Sequence, residues 1–160
     1  LLLEEMGHYS KKLTPKPIEL NALSLQLSSL ILIIVFVYTG LDKLLRWEDN
    51  WKAFHNQTFP AELAAVLASA VPLSELLIAL LLLFSVTRWW GYLSSLLLLT
   101  VFTTYVGLIW VGAFPRVPCN CAGIIESLGW SAHFILNLFL IGLTVLGLRV
   151  DSKTKPKAMP

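Results

Sequence analysis

Charge is the scarcest property of this chain. Only 14% of its 160 residues are Asp, Glu, Lys or Arg, where ordinary soluble domains carry about 25%. The net charge is +2, so no strongly basic face argues for nucleic acid. Two cysteines are too few for a disulfide-dense secreted scaffold. What fills the chain instead is apolar: 56% of residues are hydrophobic and the mean hydropathy is +0.72, which excludes disorder. A chain this short still exposes about a third of its unfolded surface after folding. The apolar excess therefore cannot hide in one small core, and the composition points to an integral membrane protein.

Four stretches are charge-poor over about 20 residues, the length needed to cross a bilayer. They run from Leu20 to Leu41, Leu63 to Thr87, Trp89 to Phe114 and Ser127 to Leu148, and Glu75 is the only carboxylate in the second. In lipid every backbone group must bond internally, so these spans are helices. The expected fold is all-α, a four-helix membrane bundle over residues 20–148 between flexible tails at 1–19 and 149–160. Lys11, Lys12, Lys16, Arg88, Arg149, Lys153, Lys155 and Lys157 fall on one side of such a bundle. Lys43, Arg46, Lys52 and Arg116 fall on the other. The excess of cations places both termini in the cytoplasm of a bacterial inner membrane and the other two loops in the periplasm.

The first loop has a pattern of its own. Leu44, Trp47, Trp51 and Phe54 recur at helical spacing among Glu48, Asp49, Asn50 and Lys52, which predicts an amphipathic helix at the outer membrane interface. Its plain role is an anchor; a partner-docking face is the other reading.

Both cysteines sit in Pro118-Cys119-Asn120-Cys121, just beyond the third span and on the expected periplasmic side. That compartment permits disulfides. A bridge between residues two apart closes a small, strained ring, and strain makes a disulfide easily reduced and oxidising towards other dithiols. Thiol–disulfide chemistry is one reading. Two inert thiols, or an intermolecular bridge, are others. A zinc site would need His55 and His133 as further ligands, and a lone Cys-x-Cys is a weak signal for it.

Inside the spans, Glu75 stands near the middle of its helix, three residues after Pro72. A charge at that depth costs about 2.5–3.5 kcal/mol or more, so the carboxyl must be protonated, paired or facing a cavity. Asn137 and Tyr105 are polar residues of the fourth and third spans. A Glu, an Asn and a Tyr converging in one bundle would suit a quinone headgroup or a proton relay. Plain interhelical hydrogen bonding suits them too.

Taken in order, Tyr38-Thr39-Gly40-Leu41-Asp42-Lys43-Leu44, Pro72-x-x-Glu75 and Cys119-Asn120-Cys121 resemble the MauE branch of the DoxX-like membrane proteins. That resemblance covers about residues 25–148. It implies a four-helix bundle linked to redox maturation, including disulfide formation in methylamine dehydrogenase beside a thioredoxin-like partner. DoxX relatives extend the implication to a quinone-linked oxidoreductase. On this reading Cys119 and Cys121 exchange electrons, and Glu75, with Asn137 and Tyr105, serves the quinone or proton site. The alternative is a non-catalytic membrane subunit that holds a larger assembly together.

Overall fold

The computed structural model describes residues 17–57, 60–113 and 129–154. Among them the chain forms five helices: α1 (Pro17–Leu45), α2 (Trp47–His55), α3 (Ala61–Leu83), α4 (Arg88–Trp110) and α5 (Trp130–Thr154). All but α2 are long and apolar enough to cross a membrane. The molecule is a multi-pass membrane protein. Its four long helices close a ring in which α1 packs on α3, α3 on α4, α4 on α5 and α5 on α1.

Side-chain contacts give the register. Tyr92 at the start of α4 meets Leu25 and Ser28 of α1, and Gly147 near the end of α5 lies against its ring. This is the tail end of the bundle. Gly107 and Trp110 of α4 meet Phe134 of α5 at the opposite, loop end. The helices thus run up, down, up and down.

Lipid turns the usual inside and outside around. The outward stripe of α1 is Leu23, Leu27, Leu30, Ile34 and Leu41, while Ser28, Ser29 and Lys43 point inward. Inward positions elsewhere are Glu75, Ser95, Thr103, Asn137 and Thr144. Hydrocarbon solvates apolar side chains without penalty and offers polar ones no partner, so polar residues turn into the bundle. The hydroxyls of Ser95 and Thr144 donate to carbonyls of their own helices, Gly91 and Leu140, at 2.7 and 2.8 Å.

Helix limits differ from the hydropathy reading where local chemistry intervenes. The first span was expected to stop at Leu41, yet α1 continues to Leu45. Lys43 therefore belongs to its last turn, not to a loop, because a buried carboxylate receives its charge. The third span was expected to reach Phe114, but α4 ends at Trp110. Gly112 takes a left-handed φ of +73°. The amides of Ala113 and Gly112 donate back to Leu108 and Ile109 at 2.9 and 3.0 Å, the glycine-dependent stop that satisfies terminal carbonyls. The last helix runs past Leu148 to Thr154, so the expected C-terminal tail is partly helical. Between α3 and α4, the Thr87 hydroxyl and Arg88 Nε donate to the Leu81 and Leu82 carbonyls at 2.9 and 3.4 Å, covering groups that α3 leaves open.

The expected amphipathic helix is present as α2, and it presents two faces. Asn50, Ala53 and Phe54 are buried, and Phe54 clusters with Ala64, Ala68 and Val71 of α3. Trp47 and Trp51 remain 40% and 38% exposed. They form a ladder with His55, the Trp51 and His55 rings stacked at 4.4 Å.

Candidate functional site

Pro72 lies in the middle of α3 and has no N–H to offer the carbonyl of Ala68, four residues earlier. In hydrocarbon that carbonyl needs another donor. Asn50 of α2 supplies it: its side-chain amide donates to the Ala68 oxygen at 2.8 Å. At the next turn Gly40 of α1 faces Pro72 and Leu76, and a Cβ built there would stand 3.2 Å from the Pro72 oxygen and 3.1 Å from Leu76. The absent side chain lets α1 lie directly on the proline-bearing stretch of α3.

That close approach brings Lys43 onto Glu75. The ammonium donates to both carboxylate oxygens, at 2.8 and 3.0 Å, and to the Thr39 carbonyl at 3.4 Å. Lys43 is 9% and Glu75 2% exposed. Two full charges are thus matched inside the bundle, each with hydrogen bonds. In low dielectric such a pair survives only with this geometry. Among the described residues, the other salt bridge, Arg46 to Asp42 at 3.4 Å, is exposed on its Arg46 side.

Gly40, Lys43 and Asn50 on one side, with Ala68, Pro72 and Glu75 on the other, form one seam. A family model described as methylamine utilisation protein MauE matches residues 21–150. The chain belongs to the MauE family. Comparison with curated proteins and with solved structures gives no match.

In this MauE-family chain the expected site residues are only partly brought together. Glu75 points into the bundle, but its partner is Lys43 rather than Asn137 or Tyr105. Tyr105 donates its hydroxyl to the Gln57 side chain. Asn137 is buried on α5. His133 is half-buried one turn from Asn137 on α5, while His55 belongs to the exposed ladder on α2. Among the described residues no group of three or more His, Cys, Asp or Glu could hold a metal. Cys119, Cys121 and Arg116 lie outside the described residues.

Asn50 was read only as a polar residue of an amphipathic helix. The signal for its role was present, since an interior proline always strands the carbonyl four residues before it. Which donor answers that carbonyl depends on which helix lies alongside. A double-mutant cycle tests the assignment. Asn50→Ala should destabilise the protein in detergent micelles by about 0.6–1.7 kcal/mol, the range of interhelical hydrogen bonds in membranes. In a Pro72→Ala background the Ala68 carbonyl regains a backbone donor, and the same substitution should cost little. Equal losses in both backgrounds would show that Asn50 acts elsewhere.

Proposed function

We propose that this protein is a bacterial inner-membrane component of methylamine-utilisation redox maturation, taking part in thiol–disulfide exchange or electron transfer. Cys119 and Cys121 exchange electrons with a periplasmic thioredoxin-like protein or client, and both termini are cytoplasmic. The observation that carries this reading is the Lys43–Glu75 pair inside the bundle. Replacing a buried ion pair with apolar side chains of similar volume is often neutral or stabilising. An ionisable pair kept inside a membrane bundle supports a functional reading of these residues. Membership of the MauE family and the chain's only two cysteines, both in Cys119-Asn120-Cys121, direct that chemistry to thiols.

A quinone is the electron acceptor that suits the intramembrane side. Among the donors, the Asn137 amide can hydrogen-bond a carbonyl oxygen, whereas the Lys43 ammonium is held by Glu75 and the Thr39 carbonyl and would have to exchange one of these contacts to do so. Tyr105 contributes less directly, because its hydroxyl is engaged with Gln57. When bound, the quinone would take up two electrons and two protons. The chain's own residues bind its headgroup, hold charge beside it and exclude bulk water.

The test is capture of the exchange partner in cells. Cys121→Ala and Cys119→Ala are expressed separately, free thiols are alkylated at harvest, and products are separated without reductant. One of the variants should accumulate a mixed disulfide with a periplasmic protein, and dithiothreitol should collapse it. If both cysteines stay reduced in the unaltered protein and neither variant traps an adduct, the thiol role fails. The second reading then stands, a non-catalytic subunit of a larger assembly. The exposed Trp47–Trp51–His55 ladder favours that role, and purification in mild detergent should then recover stoichiometric partners.

A further inference from the structure

Residues four apart lie nearly in line along a helix, so the side chains of α2 fall into rows. Asn50 and Phe54 form one row and Ala53 and Gln57 another, and all four are buried. These rows fasten α2 to its neighbours. Asn50 donates to the Ala68 carbonyl of α3, Phe54 clusters with Ala64, Ala68 and Val71, and the Gln57 side chain accepts the Tyr105 hydroxyl of α4. On the side turned away from α3 stand Glu48 and Lys52, charged and exposed. At about 100° per residue, the row of Trp47, Trp51 and His55 falls between the buried and the charged sectors.

That order of sectors fits a helix lying beside a bundle at a membrane surface: one sector meets the protein, one the lipid and one the water. Each ring of the middle row joins an apolar body to a polar nitrogen, the chemistry favoured where hydrocarbon gives way to headgroups. Depth agrees with it. Ala68, which receives Asn50, lies seven residues past Ala61, the first residue of α3. At 1.5 Å per residue this is about 10 Å along the axis from the helix end. Helices in the boundary plane bury their apolar face about 5–10 Å deep. The row also continues a surface already given to lipid. The outward stripe of α1 ends on Leu41 and Leu45, 44% and 84% exposed, and Trp47 follows two residues later.

We propose that the Trp47–Trp51–His55 row is a lipid-binding surface, seated at the headgroup–acyl boundary of the leaflet at the loop end, with glycerophospholipid as its occupant. Its neighbouring charged row carries one cation and one anion, so recognition rests on the boundary and not on headgroup charge. Lipid contact along this row holds α2 on α3 and keeps Asn50 at the carbonyl that Pro72 leaves open. The surface is independent of whether the cysteines exchange electrons.

The full chain reconstituted in phosphatidylcholine vesicles tests this, with acyl chains brominated either near the carbonyl end or near the methyl end. Bromine quenches indole emission at close range, and the difference between the unaltered protein and Trp51→Phe isolates Trp51 from the other indoles. Bromine near the carbonyl end should quench Trp51 at least about twofold more than bromine near the methyl end, as expected for the shallow seat of an interfacial helix. Trp47→Phe gives the same comparison if Trp51→Phe is not recovered. In native membranes, p-benzoylphenylalanine in place of Trp51 should crosslink to phospholipid. Absence of quenching from either depth, or equal or stronger quenching from the methyl end, overturns the proposal. So does a protein adduct at this position, the result expected if the ladder instead docks a partner subunit.

Discussion

Glu75→Leu should cost about 3–5 kcal/mol of stability, the loss typical of stranding one member of a buried ion pair. The reason lies in what remains behind. Lys43 sits in the last turn of α1, almost wholly buried, with two of its three short contacts to the Glu75 carboxylate. Without that carboxylate an ammonium is left among apolar side chains with only the Thr39 carbonyl at 3.4 Å. Glu75→Gln should be milder, since its amide oxygen still accepts from Nζ. The informative variant is the double one, Lys43→Met with Glu75→Leu. Removing both charges together should recover most of the loss, because apolar isosteres carry no desolvation penalty. That stable double variant should nevertheless fail to support thiol oxidation by the membrane. Unfolding in mixed micelles gives the stabilities and the redox state of a periplasmic client gives the activity. A drop below about 1 kcal/mol for Glu75→Leu, the scale of exposed pairs, would mean that Lys43 escapes to the interface. Full client oxidation by the double variant would reduce the pair to an ornament of the fold.

Gly147→Ala should be the most damaging of the glycine-to-alanine changes in α5. A Cβ at Gly147 would occupy space already held by the ring and hydroxyl of Tyr92. Tyr92 has little freedom to yield: it is fully buried and its hydroxyl is tied to Leu25 and Ser28 of α1. Overpacking of this kind costs about 1–3 kcal/mol. Gly142, on the same helix, has no neighbour within 4 Å of its added Cβ. Gly142→Ala should therefore leave stability within about 1 kcal/mol of the parent, the scale of the helix-propensity difference. The contrast removes composition and helix propensity from the comparison, since both variants make the same chemical change. Thermal unfolding of the two proteins in one detergent is sufficient. Equal melting would mean that the Tyr92 ring gives way to the added methyl without cost.

Much of the architecture was legible before any coordinate. Bilayer thickness imposes a length on each apolar run, and lipid permits only helices to cross as single segments, so hydropathy alone yields the four spans. Boundaries were less legible because they depend on single groups. Gly112 stops α4 before the apolar run ends, and Lys43 extends α1 because Glu75 receives its charge. The residues of the seam were visible one by one: Pro72 as a break in hydrogen bonding, Glu75 as a charge out of place, Gly40 and Lys43 through the family pattern. Their common location was not visible. Lys43 and Glu75 are 32 residues apart, and Asn50 meets the Ala68 carbonyl only because α2 runs beside α3.

The sequence by itself determined the solvent, the secondary structure, the number of crossings and the presence of an ionisable group that lipid cannot tolerate alone. These follow from transfer free energies and hydrogen-bond satisfaction, which act residue by residue or within one helix. Only the tertiary structure decided which cation neutralises Glu75, which amide answers the carbonyl left by Pro72, and that Tyr92 of α4 reaches Leu25 and Ser28 of α1. Those outcomes depend on register between helices. Register is set by where small residues such as Gly40 and Gly147 allow backbones or rings to approach, a property of pairs of surfaces that no single segment contains.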